Sequence, residues 1–399
     1  MAMFLTDCQK GLLMDYRRLP HPHQIARCPE FSPWQKQVTI LFETAADDVA
    51  TAGGDRNDFF AIYRRLRGAI RIPTVDTVGG FNSVIASEWW SRHSPVLVEA
   101  SADLLESLSR TDFSRIPAAM FRLPFPAVYL QFPIRQDVSI PESSPPFRDY
   151  PVDGVMLIES PPKPMEGITK MNSGFVKAPC ADTEFREIFY YIHGSPLALD
   201  VAIDDDAIIS NSFLAPCHND TLTLSECVRF GVKERAHLYH GEDGQFLHSD
   251  KVVDSIQSTL AQAAKVILYM GLPECRPVRD NAWSRAICEA RSKKNPAKRE
   301  KAIARANAQV YDRIVIGDTT PVSAPGSGTD RKTPRGHWRR GHFHTVLHGE
   351  GRKERRVAWF RPIPVAMPKA APDPRVYEVR AQTRSQDLAP EDRDTPESQ

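Results

Sequence analysis

Short, strongly apolar runs in the middle of the chain constrain its fold more than any other feature. The runs are rich in aromatic or β-branched residues, are bounded by turn-forming residues, and lie at 127–132, 155–158, 188–192 and 197–203. No long amphipathic helix separates them, which favours antiparallel pairing over βαβ units. The 33 prolines among 399 residues also favour short strands over a long helical bundle. The sequence therefore predicts a mostly antiparallel central sheet.

Helical patterns flank these runs. Residues 1–116 are predicted to be mainly helical, because apolar residues recur at spacings of three and four in 59–66 and again in 87–108. One apolar face between Asp250 and Gly271 predicts a further helix over 250–270. Together with the runs, these patterns predict an α+β fold with a helical N-terminal region.

Charge is distributed very unevenly along the chain. The total is +1, but residues 1–284 hold 27 Lys and Arg against 36 Asp and Glu, and residues 285–399 hold 24 against 14. Part of the positive excess lies in two predicted basic helices within 281–312, divided at Asn295-Pro296. A binding surface and an ordinary solvated helix face both fit these helices. Residues 331–361 are denser still, with ten Lys and Arg against two Glu.

A basic β-hairpin is predicted from that dense segment. Two strand-like stretches, 337–348 and 352–365, flank a glycine-containing turn. With a period of two, the alternate residues from His342 to His348 share one face, and Phe343 lies on the other. If the Phe343 face packs on the core, the histidines point outward among arginines. The predicted surface for RNA or another partner comprises His337, Arg339, Arg340, His342, His344, Arg352, Arg355, Arg356 and Trp359.

Several chemistries fit these residue types. Arginines bind phosphates and carboxylates in a bidentate manner, so the surface could bind RNA, a ribosomal surface or an acidic peptide. It could also cleave RNA without a metal, with His342 and His344 as acid and base and Arg340 stabilising the phosphorane. A zinc site would use the H-x-H pair with His348 or His337, but neighbouring arginines oppose a cation, so no metal and no other cofactor is predicted. The remaining alternative is structural pairing within the protein itself.

Composition divides the chain into five predicted regions. A mainly helical region spans 1–116, and an α+β body with the sheet and the basic helices spans 117–319. Residues 320–335 are a predicted low-complexity linker, and 336–366 form the basic hairpin module. Residues 367–399 are proline-rich, charged and poor in apolar residues, and are predicted to be a disordered tail.

The cysteines and the apolar runs indicate the compartment. Seven cysteines are scattered without any C-x-x-C pair, which is typical of reduced thiols in a cytoplasmic protein rather than a disulfide framework. The first residues lack the basic and apolar regions of a signal peptide. No apolar run approaches the ~18–20 residues of a membrane span. The sequence predicts a cytoplasmic protein without a membrane partner.

The hairpin segment also carries a family resemblance. Residues 339–344, Arg-Arg-Gly-His-Phe-His, and residues 359–365, Trp-Phe-Arg-Pro-Ile-Pro-Val, resemble the C-terminal signature of the second family of type V-A anti-CRISPR proteins. Support comes from the proline-aromatic segment 123–129, which leads into a strand, and from 311–317, before the linker. The resemblance extends in patches over 120–365.

The resemblance implies an unusual activity. Family members are carried by mobile genetic elements and suppress production of the type V-A CRISPR effector nuclease. They recognise its nascent N-terminal peptide during translation and trigger loss of its mRNA. It implies a non-enzymatic protein in the cytoplasm of a bacterial host, with that peptide, the ribosome and the mRNA as partners. The alternatives are a metal-free endoribonuclease acting on mRNA and a plasmid- or phage-encoded nucleic-acid-binding regulator.

Overall fold

A central β-sheet with helices on both faces organises this computed structural model. The predicted α+β class is confirmed, with helices before the sheet and a β-hairpin near the C-terminus. The structure describes residues 20–25, 32–70, 78–132, 139–141, 149–164, 184–194, 207–218, 222–235, 250–273, 275–317, 337–339, 341–360 and 363–365.

The sheet has a mostly antiparallel order, as predicted. Its strands are β1 (Val96–Ala100), β3 (Ala127–Gln131), β4 (Ser139–Pro141), β5 (Asp149–Glu159), β6 (Lys163–Pro164), β7 (Glu184–Gly194), β8 (Ala207–Pro216), β9 (Val278–Asp280) and β10 (Asp312–Ile316). The main path runs β8-β7-β5-β3-β1-β10-β9, while β6 pairs with β7 and β4 with β5. Within this sheet, the pairs that β1 forms with β3 and β10 are parallel, and the other described pairs are antiparallel.

Helices lie before, between and after these strands. They are α1 (His21–Ile25), α2 (Ser32–Thr51), α3 (Phe59–Ala69), α4 (Val78–His93), α5 (Ala102–Ser109), α6 (Leu224–Arg235), α7 (Asp250–Met270), α8 (Ala282–Arg291) and α9 (Pro296–Gln309). Short 3₁₀ turns occur at Ala118–Met120 and Glu350–Arg352. The helix predicted over 250–270 is confirmed as α7, and the predicted division at Asn295 is confirmed because the Asn295 side chain caps α9.

Both faces of the central strands are buried, which explains why their sequences are apolar without a clear polar alternation. On β5, Val155 and Leu157 pack into one core with α5, α6 and α7. Met156 and Ile158 point the other way, into a second core with α2, α3 and α4. The sheet therefore separates two apolar cores.

One glycine of the sheet is required by a close approach. A Cβ atom at Gly154 of β5 would lie 1.9 Å from the hydroxyl oxygen of Tyr129 on the neighbouring strand β3. Tyr129 is 1% exposed, so its ring has no room to withdraw. Glycine at 154 is therefore what admits the tyrosine into the core.

Two sequence predictions are wrong in this region. The helical pattern over 87–108 contains a strand, because the chain leaves α4 at His93, passes Pro95 and forms β1 before α5 begins. Burial on both faces makes β1 as continuously apolar as a buried helix, so periodicity alone does not distinguish them. The parallel pairs of the sheet are those that β1 forms with β3 and β10. The helix predicted to reach 312 ends at Gln309, and β10 begins at Asp312.

The chain divides into two compact units. The first comprises Met1–Pro325 and Arg340–Pro362, and the second comprises Gly326–Arg339 and Ile363–Gln399. In the second unit, β11 (His337–Arg339) pairs antiparallel with β14 (Ile363–Val365). The predicted strand at 197–203, the linker at 320–335 and the tail at 367–399 lie outside the described residues, and the predicted region boundaries stay predictions. No described helix is long and apolar enough to cross a membrane.

Candidate functional site

The predicted basic hairpin is confirmed within residues 341–360. It consists of β12 (Gly341–His348) and β13 (Glu354–Phe360), which pair antiparallel from His342 opposite Phe360 to His348 opposite Glu354. The turn between them contains three left-handed residues: Gly349 at φ +76°, Gly351 at +66° and Arg352 at +55°. Glycine adopts this conformation without steric cost, which is why the glycine-rich segment reverses the chain here.

The inner face of the hairpin anchors it to the body. Phe343 is 3% exposed and stacks on Trp359, with ring centroids 6.3 Å apart. The Trp359 indole N–H donates to the hydroxyl of Thr111 over 3.1 Å, and the indole forms a T-shaped ring pair with Tyr269 of α7, with ring centroids 5.3 Å apart. In addition, β12 pairs with β2 (Thr111–Asp112). The structure therefore gives Trp359, expected from the sequence to contact a partner, an anchoring position.

The outer face presents the histidines, as the alternation predicts. His342 stacks on Phe360 with ring centroids 5.0 Å apart and an interplanar angle of 15°. His344 is exposed, and its ring lies 6.5 Å from that of His342. Arg356 stands on the same face, opposite Val346, and Phe360 is 52% exposed. An exposed aromatic ring, two imidazoles and a guanidinium therefore share one surface.

The predicted arginines divide between the two faces of the hairpin and its turn. Arg356 is exposed on the outer face, whereas Arg355 pairs with Leu347 and so lies on the Phe343 side, beyond the anchored part. Arg352 is exposed in the turn. His348 is engaged by its neighbour across the strands, because its Nδ1 lies 3.2 Å from a carboxylate oxygen of Glu354.

Three predicted residues fall elsewhere. His337 and Arg339 lie on β11 in the second unit, and they pair with Val365 and Ile363. Arg340, the residue proposed to stabilise a phosphorane, lies outside the described residues. Within the described ranges, no group of three histidine, cysteine or acidic side chains is arranged to hold a metal ion.

The body contains a buried histidine cluster that the sequence does not predict. His21 and His193 stack with centroids 3.3 Å apart, and Nδ1 of His193 lies 2.5 Å from a carboxylate oxygen of Asp153. Burial, reinforced by the neighbouring His193, holds the pKa of His21 well below its ordinary value. The sequence suggests a turn at His193, but this residue lies inside β7, fully buried. The sequence indicates this cluster only through the two histidines of His21-Pro22-His23.

A cavity of about 670 Å³ also lies between α2, α4 and α9. Ion pairs cross its wall, since Arg92 contacts both Glu43 and Glu88 and Arg56 contacts Glu43. These residues are separated by up to 49 positions in the sequence, so no local pattern predicts their association.

Four of the seven cysteines lie in the described part of the chain. Cys217 and Cys227 are buried, Cys275 is half-buried and Cys288 is exposed, and none of these four forms a disulfide. Burial raises the pKa of Cys227 to about 12, which keeps this thiol protonated and unreactive.

Comparison with known families identifies the chain. The AcrVA2-like family model, described as the anti-CRISPR type V subtype A2 family, matches residues 98–367. The chain belongs to this family. The family resemblance expected from the hairpin signature is thus confirmed, and this AcrVA2-like protein is an anti-CRISPR protein of type V subtype A2.

The matched range of this AcrVA2-like protein begins inside β1 and includes the sheet, the basic helices and the hairpin, whereas α1 to α4 precede it. The chain is also similar to a solved structure described as the crystal structure of AcrVA2. That likeness has 14% sequence identity and a TM-score of 0.43, and it covers 86% of this chain and 98% of that chain. No curated protein sequence matches this AcrVA2-like protein.

Proposed function

We propose that this anti-CRISPR protein lowers production of the type V-A effector nuclease by recognising the effector's nascent N-terminal peptide and triggering loss of its mRNA. Family membership supports the target system. Peptide recognition is supported by the position of β13, a basic strand at the edge of its sheet. The sheet order is β13-β12-β2, so β13 has a partner on one side only among the described strands.

An edge strand of this kind can accept an extended peptide. The unpaired N–H and C=O groups of an edge bind a further strand through main-chain hydrogen bonds, and side chains on either face supply specificity. All the residues of β13 are at least partly exposed, and none is buried. Seven residues, Glu354–Phe360, are enough to pair with a short N-terminal segment.

The side chains around this edge define the peptide that fits. Arg356 and Arg352 supply cations for carboxylates, and no described acidic residue forms an ion pair with either of them. Phe360 and Leu347 are 52% and 51% exposed and lie on opposite faces of the hairpin. An extended peptide with alternating side chains therefore meets an apolar contact on each face. The preferred ligand combines apolar residues with at least one acidic residue.

The compartment and the other partners follow from the same proposal. A nascent peptide, its ribosome and its message occur together in the cytoplasm of the bacterial host. The protein acts there as a binding factor, with the peptide as the recognised ligand and the mRNA as the molecule that is lost.

Recoding the target gene tests the peptide step. In a translating extract that contains the protein, a message with synonymous changes in its first codons is expected to be lost like the original. A message whose first codons specify a different peptide is expected to persist. Northern analysis of both transcripts measures the outcome. Loss that follows the nucleotide sequence rather than the peptide sequence contradicts the proposal.

A matched pair of variants locates the site. Arg352→Gln combined with Arg356→Gln removes two cations beside the edge of β13 and is expected to reduce message loss at least about tenfold, the effect of about 1.4 kcal/mol of binding. Arg285→Gln removes an arginine that Asp280 already pairs at 2.9 Å, and it serves as the control. Equal message loss with the two variants would show that the peptide does not bind at β13.

A second function is favoured by the spacing of His342 and His344. Their ring centroids lie 6.5 Å apart on one exposed face, which leaves space for a phosphodiester between a general base and a general acid. Incubation of purified protein with a naked transcript in EDTA tests this metal-free endoribonuclease. Cleavage that disappears in the His342→Ala/His344→Ala variant would establish the nuclease in place of nascent-peptide sensing. An intact transcript supports the binding factor.

A further inference from the structure

The two basic helices form a pair whose position is fixed by polar contacts. The Trp283 indole N–H on α8 donates to the Asn307 side-chain oxygen on α9 over 3.1 Å. The backbone N–H of Ser284 donates to Asp312 over 3.1 Å, and the Ser284 hydroxyl donates to the same carboxylate. The small residues Ala290 and Ala306 are buried beneath the pair. Side chains on its outer surface are therefore held at a constant spacing.

Three exposed cations line one side of α9. Lys298, Lys301 and Arg305 occur at positions i, i+3 and i+7, a spacing that places side chains on one face of a helix. At a rise of 1.5 Å per residue, they extend over about 10 Å. We name this set the α9 stripe. Two further exposed lysines, Lys293 and Lys294, precede the start of the helix.

The positive charge of the α9 stripe is not neutralised by the described part of the protein. No described carboxylate forms an ion pair with any of its members, and Arg305 is bonded only to the neutral side chain of Gln309, at 3.4 Å. Glu300, the one acidic residue of α9, lies on a different side of the helix and lines the cavity. The neighbouring Arg285 differs, because Asp280 pairs with it.

We propose that the α9 stripe binds the phosphate backbone of double-helical RNA. Protein partners are usually held by buried aromatic or apolar anchors, and the stripe contains none. Single-stranded RNA is held by bases that stack on aromatic side chains, which the stripe also lacks. Fixed cations on long stems suit the regular phosphates of a duplex, whose binding is electrostatic and independent of sequence.

This inference deepens the proposed function and takes its biological setting from it. A nascent peptide exists only on a ribosome, and the ribosomal surface is largely double-helical RNA. The α9 stripe would hold the protein near that surface while the hairpin contacts the peptide. RNA binding itself requires neither translation nor the peptide, so the two parts can fail separately.

Salt dependence measures the contacts directly. The fluorescence anisotropy of a labelled RNA duplex, titrated with the full chain over a range of KCl concentrations, gives the slope of log affinity against log salt. Lys298→Gln/Lys301→Gln/Arg305→Gln is expected to reduce the magnitude of this slope by about three, one for each lost phosphate contact. At low salt the same variant is expected to bind about tenfold more weakly or worse. Glutamine keeps the helix propensity of these positions.

Controls separate the possible outcomes. Arg285→Gln is expected to keep the original slope, and a single strand of equal length is expected to bind more weakly than the duplex. An unchanged slope in the triple variant, equal binding of the single strand, or no duplex binding by the original protein would overturn the proposal. The triple variant is expected to bind a synthetic effector N-terminal peptide normally. Loss of duplex binding with retained peptide binding supports the α9 stripe. If a message that codes for a different N-terminal peptide is still lost, peptide recognition is contradicted while the α9 stripe is not.

Discussion

The hairpin β12–β13 and the helical pair α8–α9 are both strongly basic, yet they carry different chemistry. On the hairpin, Arg356 shares a face with two imidazoles and the exposed ring of Phe360. On α9, the stripe consists of cations alone. A mixed surface can distinguish one ligand from another by shape and apolar contact, whereas a surface of single sign attracts any polyanion. The hairpin is therefore the more selective of the two basic surfaces, and the helical pair is the more general one.

The two regions also differ in how they are attached. The hairpin depends on large side chains, because Phe343 and Trp359 pack into the core beside Tyr269. The helical pair buries small residues such as Ala290 and Ala306 and relies on side-chain caps and hydrogen bonds. We therefore expect the hairpin to be sensitive to truncation of single aromatic residues. The helical pair should respond more weakly, through its caps.

The largest effect is expected from Phe343→Ala. Truncation of a buried phenylalanine removes apolar contacts and leaves a cavity, which lowers the free energy of unfolding by about 3–5 kcal/mol. Urea denaturation followed by tryptophan fluorescence measures the change. The control is Phe360→Ala, on the exposed face of the same hairpin, with an expected loss below about 1 kcal/mol. Equal losses for the two variants would show that the hairpin has no anchored face.

Acid is expected to lower the stability of the body through its buried His21. The pKa of His21 is depressed in the folded state by burial and by His193, which is itself paired with Asp153. Below pH 6.5 the unfolded chain binds a proton that folded His21 excludes, so stability present above that pH is lost as pH falls. The free energy of unfolding is therefore expected to decrease as the pH is lowered from 6.5.

Free energies of unfolding measured at several pH values test this dependence. His21→Gln should flatten the dependence between pH 6.5 and 5, since the variant lacks the buried imidazole. An unchanged pH dependence of stability in His21→Gln would contradict this role of the buried histidine.

A smaller effect is expected from Asn295→Ala. The Asn295 side chain accepts a hydrogen bond from the backbone N–H of Lys298 over 3.1 Å and so caps α9. Loss of such a cap costs about 1 kcal/mol of the free energy of unfolding. Asn295→Asp should keep the stability because aspartate caps equally well. Thermal denaturation of both variants provides the measurement, and a destabilised aspartate variant would argue against a capping role.

The smallest effect is expected from Arg285→Gln. Arg285 and Asp280 are 72% and 61% exposed, and ion pairs at such positions contribute little, typically below about 1 kcal/mol. Lys298 has no ionic partner among the described residues. The free energies of unfolding of Arg285→Gln and Lys298→Gln, measured by urea denaturation, should agree within about 0.5 kcal/mol. A clear loss in Arg285→Gln alone would show that the pair positions the helical pair.

Local patterns predicted much of the fold. Three confirmed predictions depend only on neighbours in the sequence: the apolar face of α7, the start of α9 at Asn295-Pro296, and the alternation around Phe343. β1 could not be identified in this way, because a strand buried on both faces has no alternation to detect. The ion pairs at the cavity wall could not be identified from local patterns either, because Glu43 and Arg92 are 49 positions apart. The predicted binding residues themselves stay predictions.

By itself, the sequence determined which segments are apolar, where helices can begin and where positive charge accumulates. These properties follow from short-range steric effects, capping and composition. Only the tertiary structure decided which charges are neutralised. Glu43 pairs with Arg92 across 49 positions, the described residues provide no carboxylate for Lys298, and Trp359 contacts Tyr269. Such outcomes depend on groups brought together from distant parts of the chain.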